Sequence, residues 1–346
     1  MISSQTIFRF AAFLISLMLF FGSRVGLASD QPTKQDAPVI LSKAAELVDL
    51  QSPGGTPFLL LANVTLREGE KSVEGVFAMS WAAPGQYRRV FRFPGFTATE
   101  VVTGGAMYRQ RSTEAMPLMI WELSQLLALT SNYRLGPEWK VLHVQTEQSG
   151  QVELNCVLAR TGLADSKICI DTSTGLPFSI DTGPDAYRLE HSRERSAANE
   201  RSEFADYQPF AGHTFPHKLT FHGWDARTVE VQVQKLIPVK AFAADEFAPS
   251  KDSSKIGFCD SPETNGEVTP NPGSNRIPVK FTDMEVDMYF QVSPAGGVRY
   301  AQVVYSSDPL KNTEILHWFI GTHFPIKTCS GTPVAYETLV RLKTAH

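Results

Sequence analysis

The chain has 346 residues, of which 42% are hydrophobic and 20% are charged, and its formal net charge is −4 at pH 7. This composition excludes a wholly disordered chain, and the length is sufficient for two domains. An acidic chain lacks the clustered positive charge that nucleic-acid binding requires, so we expect no nucleic-acid partner.

The first segment, residues 1–28, has the pattern of a secretory signal peptide. Arg9 supplies a positive charge, residues 10–21 form an apolar run, and small residues lie at Gly26 and Ala28, where a signal peptidase cleaves. A retained membrane anchor is the alternative, but a span needs roughly 20 apolar residues and Arg24 interrupts this run. We therefore expect a cleaved signal and an exported protein.

Residues 38–248 have the pattern of one helix followed by a long antiparallel meander. A helix is predicted at 38–50 from its apolar face, and Gly- or Pro-containing turns then recur about every ten residues, as they do in antiparallel sheets. The strands are predicted at residues 58–67, 73–81, 87–93, 97–103, 106–111, 139–145, 152–158, 166–171, 177–181, 187–190, 203–207, 217–222 and 228–236.

A second helix, predicted at 117–129, is apolar around more than half of its circumference. A helix buried in the core has this composition, and so does a helix that covers a lipid cavity. Methionine adapts to ligands of irregular shape. If a cavity is present, its predicted lining is Phe77, Met79, Phe91, Met116, Met119 and Trp121.

The cysteines are Cys156, Cys169, Cys259 and Cys329. An even number in an exported chain favours disulfides, and three pairings exist in principle. A hairpin that turns at residues 161–164 places Cys156 opposite Cys169, which leaves Cys259 and Cys329 as the second pair. No Cys-x-x-Cys spacing occurs, so the sequence favours neither a metal site nor a redox motif.

Histidines are most closely spaced at His213, His217 and His222. The first two share a strand face by parity and the third does not, so we predict no metal site. The sequence has no nucleophile-elbow, zinc-protease or phosphate-loop motif. We therefore expect a protein that is not an enzyme and that has no cofactor.

Arginines cluster on two of the predicted strands, as Arg88, Arg89 and Arg92 on one and Arg109 and Arg111 on the other. Two interpretations remain open. These side chains pair with acidic residues on neighbouring strands, which is the commoner arrangement, or they line the entrance of a cavity.

Residues 249–275 are rich in Ser, Pro, Asn and Gly and show no apolar period. This composition is typical of a semi-extended interdomain linker, which Cys259 would fix at one point.

Residues 276–346 have the pattern of a small unit of two strands, a helix and a strand. Apolar and polar residues alternate across 285–292, which predicts a strand with one buried face and with Glu285 and Asp287 on a solvated face. Gly296 and Gly297 mark a reversal before a strand at 298–305. A helix is predicted from Pro309 to Gly321, and a last strand at 333–342.

This segment resembles a TonB C-terminal domain. The matching motifs are Val-x-Met-x-Phe-x-Val at 286–292, Gly-Gly-Val at 296–298, Ser-Ser-Asp-Pro at 306–309, Phe-Pro at 324–325 and Gly-Thr-Pro-Val at 331–334. The resemblance implies a non-enzymatic module that contacts proteins in the envelope of a Gram-negative bacterium, and hence a location in the periplasm. We expect a partner protein to add a strand beside the last strand, at Val334, Tyr336, Thr338 and Val340.

Residues 38–248 resemble the LolA-type lipoprotein carriers and their LppX-like relatives. The similar motifs are Trp-x-x-Pro-Gly-x-Tyr-Arg at 81–88, Asp-x-x-Thr-Gly-Leu-Pro at 171–177, and the run at 204–218. The resemblance implies an incomplete antiparallel barrel that closes over helices and holds acyl chains between them.

The expected fold is α+β, with an antiparallel half-barrel and one or two packed helices followed by a small ββαβ domain. The expected function is that of an exported, non-enzymatic envelope protein with a protein-interaction module and a half-barrel that binds lipid or lipoprotein acyl chains. A structural or scaffold protein with no small ligand, its half-barrel filled by its own side chains, is the alternative. A TonB-like adaptor in outer-membrane transport is another, although the short apolar segment and the short linker disfavour energy transduction.

Overall fold

The computed structural model of the protein describes residues 32–113, 116–130, 139–161, 164–183, 200–223, 227–257, 263–265, 285–319, 321–329 and 331–343. The predicted signal peptide, the predicted strand at 187–190 and Cys259 lie outside the described residues. Residues Thr33–His346 belong to one compact unit. The predicted division into domains at 248 and 276 stays a prediction.

The described residues contain three α-helices and nineteen strands. The helices are α1 (Ala37–Val48), α2 (Leu118–Leu129) and α3 (Asn312–Phe319), and a 3₁₀ turn, Pro309–Lys311, precedes α3. None of these helices combines the length and the apolar character needed to span a bilayer. The strands are β1 (Phe58–Glu68), β2 (Lys71–Ala83), β3 (Gln86–Phe93), β4 (Phe96–Thr103), β5 (Ala106–Arg111), β6 (Lys140–Ser149), β7 (Val152–Thr161), β8 (Ala164–Asp171), β9 (Pro177–Gly183), β10 (Glu200–Phe210), β11 (His213–His222), β12 (Arg227–Pro238), β13 (Ser254–Gly257), β14 (Glu263–Asn265), β15 (Glu285–Val292), β16 (Val298–Ser306), β17 (Ile326–Cys329), β18 (Thr332–Val334) and β19 (Tyr336–Lys343).

Thirteen of the strands form one large antiparallel sheet, in the order β13-β5-β4-β3-β2-β1-β12-β11-β10-β9-β8-β7-β6. The sheet contains two meanders, β1–β5 and β6–β12. Within each meander, every strand pairs with the next strand along the chain. The meanders join where β1 lies beside β12, from Phe58 opposite Pro238 to Glu68 opposite Arg227. The prediction of a large antiparallel sheet with few helices is therefore confirmed.

One face of the large sheet, here called the inner face, carries most of the core. Along β1 every second residue from Phe58 to Leu66 is buried, as the period of two in a strand requires. Helices α1 and α2 cover this face, with α1 against β8 and β11 and α2 against β11 and β12. Pro38 lies in the first turn of helix α1. Backbone N–H groups in a first turn have no partner within the helix, so proline loses no hydrogen bond at this position.

The C-terminal residues form a second sheet of three antiparallel strands, in the order β16-β15-β19. We call it the small sheet. The apolar face of β15, which includes Met288 and Phe290, packs against Ile315 and Phe319 of α3. A third sheet, β14-β17-β18, consists of short strands only.

The predicted linker contains two strands that pair with the rest of the protein. Strand β13 extends the large sheet beside β5, from Ser254 opposite Arg109 to Gly257 opposite Ala106. Strand β14 pairs with β17, with Glu263 opposite Thr328. Backbone hydrogen bonds to β5 and β17 therefore hold these two short strands in place. Amino-acid composition alone does not predict such pairing.

The face of β15 predicted to be solvated is buried, so this expectation was wrong for Asp287. The Asp287 side chain is 0% exposed, and the neighbouring Tyr289 is also buried. The reason is that this polar face packs against helix α2 and strand β12 of the large sheet. The Tyr289 ring lies 6.2 Å from that of Trp121 on α2, and Asp287 Oδ2 lies 3.8 Å from Arg227 Nη2 on β12.

Candidate functional site

A cavity of about 270 Å³ lies between the inner face of the large sheet and two helical segments. Strands β1, β2, β3 and β11 provide its floor, and the residues after α1 and the C-terminal half of α2 provide the rest of its wall. The apolar lining consists of Leu50, Phe58, Leu60, Phe77, Met79, Phe91, Leu127, Ala128 and Phe215. The polar lining consists of Gln51, Tyr87, Arg89, Ser124 and Thr130.

The structure places three of the six predicted lining residues, Phe77, Met79 and Phe91, together on this wall. Met116 lines a different and more open cavity of about 400 Å³, between the start of α2 and strand β16. Met119 and Trp121 pack against the core cluster of the large sheet. Helix α2 is apolar on both sides because one side faces the large sheet and another faces β15.

Arg89 is the charged residue in the wall of the first cavity. Its Nη2 atom lies 3.4 Å from Oε2 of Glu100 on β4 and donates to the Tyr87 hydroxyl at 3.4 Å, and its guanidinium lies over the Tyr87 ring at 5.0 Å from the ring centre. Both earlier interpretations of the strand arginines therefore apply to Arg89. It pairs with an acid on the neighbouring strand, and it lines a cavity.

Glu100 connects Arg89 to further arginines, and the group of Arg89, Glu100, Arg109, Arg111 and Glu337 is here called the arginine cluster. Arg111 lies 3.0 Å from Glu100 on one side and 3.0 Å from Glu337 of the small sheet on the other. Arg109 also pairs with Glu337. Burial alone would raise the pKa of Glu100, but the neighbouring guanidinium groups lower it below its usual value.

A second buried ionic group, consisting of Glu122, Arg227 and Asp287, lies where the small sheet meets the large one. The Arg227 Nη2 atom lies 2.9 Å from Glu122 Oε1 on α2 and 3.8 Å from Asp287 Oδ2 on β15. The Arg227 guanidinium also lies over the ring of Tyr305 on β16, at 5.4 Å from its centre. Sequence reasoning missed this group because its three members come from separate parts of the chain.

The cysteines of the β7–β8 hairpin form the predicted disulfide. Cys156 and Cys169 lie directly opposite each other with their Cα atoms 4.0 Å apart, as the hairpin register predicts. Cys329 is also disulfide-bonded, and its predicted partner lies outside the described residues. Glu147 lies close to both hairpin cysteines, but sulfur atoms joined in a disulfide are not available as thiolate ligands for a metal.

The histidines on β11 have separate partners. His213 Nδ1 lies 3.0 Å from the backbone oxygen of Glu46 on α1, and His222 Nε2 lies 3.8 Å from Oε2 of Glu203 on β10. Within the described residues, the metal-like grouping at Glu147 contains none of these histidines.

The predicted docking strand is divided at Ala335 between two sheets. Val334 belongs to β18, whereas Tyr336, Thr338 and Val340 belong to β19. Strand β19 pairs with β15 and ends the order of the small sheet, so within the described residues it has a strand partner on one side.

Comparison with known proteins yields no match to a family model. It also yields no match among curated proteins. Solved structures with some similarity include an outer-membrane lipoprotein-sorting protein domain from Vibrio parahaemolyticus, with 10% identity and a TM-score of 0.43 over 62% of this chain and 97% of that one. A LolA superfamily protein from Nitrosomonas europaea has 9% identity and a TM-score of 0.41 over 63% and 98%. The MucA/MucB complex from Pseudomonas aeruginosa has 12% identity and a TM-score of 0.22 over 88% and 93%.

Proposed function

We propose that this protein is a non-enzymatic binding protein of the Gram-negative periplasm that holds an apolar chain, such as a lipid or a lipoprotein acyl group, on the inner face of its large sheet. The observation that carries the proposal is the cavity beside α2, whose wall is formed largely by aliphatic and aromatic side chains. Apolar surface that a ligand covers here is removed from water, which favours binding.

The size and the polarity of the cavity support this proposal. Its volume of about 270 Å³ is close to the lower limit of about 300 Å³ that is usual for pockets that bind small molecules. A few polar groups among many apolar ones are also typical of such pockets. The volume suits one chain better than several.

Blocking the cavity tests the proposal. Ser124 lines the cavity from α2 and is half-buried, so Ser124→Trp places an indole ring in the cavity. We expect the wild-type protein to bind the neutral dye Nile red and a neutral long-chain alcohol, and we expect Ser124→Trp to bind neither. Gln125→Trp is the matched control, because the neighbouring Gln125 is exposed and lies outside the cavity lining. If neither ligand binds the wild-type protein, the scaffold alternative replaces this proposal.

A second candidate function is a TonB-like interaction module in which an envelope protein adds a strand to the small sheet. Within the part of the chain that the structure describes, one edge of β19 has no strand partner, and such an edge offers backbone hydrogen bonds to an extended segment. A photo-crosslinking residue at Thr338 should capture one defined envelope protein, and the same residue at Thr65, on the interior strand β1, should not. Equal capture at both positions would contradict docking at β19.

A further inference from the structure

We propose that the ligand of the cavity beside α2 is an anionic amphiphile with a single chain, and that Arg89 binds its carboxylate or phosphate head group. This inference rests on the proposed binding function and adds the chemical class of the ligand. It follows from the position of Arg89, from the charge balance of the arginine cluster, and from the long contact between Arg89 and Glu100.

Arg89 lies where the apolar cavity meets the arginine cluster. On the inner face of the sheet it stands between Met79 of β2 and Glu100 of β4 in the strand register. Met79 belongs to the cavity wall, and Glu100 belongs to the cluster. A chain that lies along the apolar wall can therefore place its head group against Arg89 without leaving the cavity.

The arginine cluster contains three guanidinium groups and two carboxylates, from Glu100 and Glu337. The side chains of these five residues are 6–25% exposed, so water screens them only in part. Tyr289, whose hydroxyl bonds Glu337, does not supply the missing negative charge, because burial and the neighbouring carboxylate raise its pKa. The cluster thus has an excess of one positive charge, which an anion would balance.

Arg89 is held less closely by the protein's own carboxylates than Arg111 is. The Nε atoms of Arg89 and Arg111 are both buried and have no hydrogen-bond partner within the part of the chain that the structure describes, so the distances to the carboxylates distinguish the two arginines. The contact of Arg89 with Glu100 is 3.4 Å long, compared with about 2.7–2.9 Å for a strong charge-assisted hydrogen bond. Arg111 makes closer contacts with the same carboxylate and with Glu337, at 3.0 Å each. Arg89 is therefore the arginine of the cluster best able to bind an oxygen of a ligand.

The test compares dodecyl probes that differ only in their head group: laurate, dodecyl phosphate, dodecanol and dodecyltrimethylammonium. Binding to the full chain is measured by calorimetry and by displacement of Nile red. We expect laurate or dodecyl phosphate to bind at least about tenfold more tightly than dodecanol, which is the usual effect of a hydrogen bond to a charged group. The cationic probe should bind most weakly.

Variants on β3 assign the effect to one side chain. Arg89→Met should remove the preference for the anionic probes over dodecanol, and Arg89→Lys should retain part of it. Arg92→Met is the matched control, because Arg92 is exposed on the same strand. If Arg89→Met does not fold, the comparison of Arg89→Lys with the wild type decides instead, since the loss of the bidentate donor should still weaken anion binding.

The outcomes separate this inference from the proposed function. If no probe binds the wild-type protein, the binding function itself is wrong. If dodecanol and laurate bind equally well, the binding function stands and the anionic class is wrong. A preference for anions that persists unchanged in both Arg89 variants would assign the head group to another residue and would overturn the role of Arg89.

Discussion

At the scale of single residues, the environment of each arginine decides how much its ion pair contributes. Arg227 and Arg67 both lie at the β1–β12 junction and both pair with acids. The Arg227 side chain is 3% exposed, whereas Arg67 and its partner Glu230 are 52% and 42% exposed. Water screens the exposed pair, but removal of Arg227 would take away a cation that contacts the buried carboxylates of both Glu122 and Asp287.

We therefore expect Arg227→Met to lower the free energy of unfolding by about 3–5 kcal/mol, and Arg67→Met by less than about 1 kcal/mol. Urea unfolding at neutral pH measures both. Replacing Glu122, Arg227 and Asp287 together by Leu, Met and Leu should recover most of the loss, because the buried carboxylates are then removed together with their shared cation. Similar costs for the two single variants would contradict a stabilising role of this ionic group.

Glu203 on β10 makes stability depend on pH. The His222 ring, 3.8 Å away, together with the neighbouring Arg201, lowers the pKa of Glu203 from 4.5 to about 2, although burial acts in the opposite direction. Because the pKa is lower in the folded state, the carboxylate stabilises the fold above pH 4.5, and this contribution is lost as the pH falls towards 2.

We expect Glu203→Gln to flatten the decline in stability between pH 4.5 and pH 2. The side chain is 35% exposed, so solvent limits the effect to about 1 kcal/mol or less. Thermal unfolding of both proteins across this range is the measurement, and Glu74→Gln at an exposed position of β2 is the control. Parallel pH profiles for wild type and Glu203→Gln would show that Glu203 is not the titrating group.

At the scale of elements, β2 and β3 are held by a close fit between a glycine and an aromatic ring. A Cβ atom at Gly75 would lie 2.1 Å from a ring atom of Phe93, so the ring occupies the space that a side chain would need. Gly75→Ala should lower the free energy of unfolding by about 1–3 kcal/mol, because the buried Phe93 has little room to move. A double-mutant cycle with Phe93→Leu, measured by urea unfolding, should show a coupling between the two positions, and simple additivity would contradict the proposed contact.

The same elements show how far sequence reasoning reaches. The turns that contain Gly and Pro, and the alternating strands, predict nearly all of the first meander, and the hairpin register predicts the Cys156–Cys169 pair. Alternation does not distinguish a polar face in water from a polar face packed against another layer. For this reason Asp287 was expected to be solvated, although it pairs with Arg227, a distant residue in the chain. The cavity wall was predicted in part, because only the fold brings Arg89 beside Met79.

At the scale of the whole molecule, polar contacts join the small sheet to the large one. Glu337 of β19 pairs with Arg109 and Arg111 of β5, and Tyr289 of β15 donates a hydrogen bond to the same carboxylate. Aromatic contact between Tyr289 and Trp121 adds to these. The two sheets belong to one compact unit, so we expect them to unfold together.

Urea unfolding followed by circular dichroism and by hydrogen exchange should therefore give coincident transitions for the two sheets of the wild-type protein. Glu337→Arg adds a fourth guanidinium group to the arginine cluster, and repulsion should release the small sheet at a lower urea concentration than the large one. Exchanging the charges in Arg109→Glu/Glu337→Arg restores an ion pair at this contact and should bring the transitions back together. Separate transitions already in the wild type would mean that the contact is too weak to couple the two sheets.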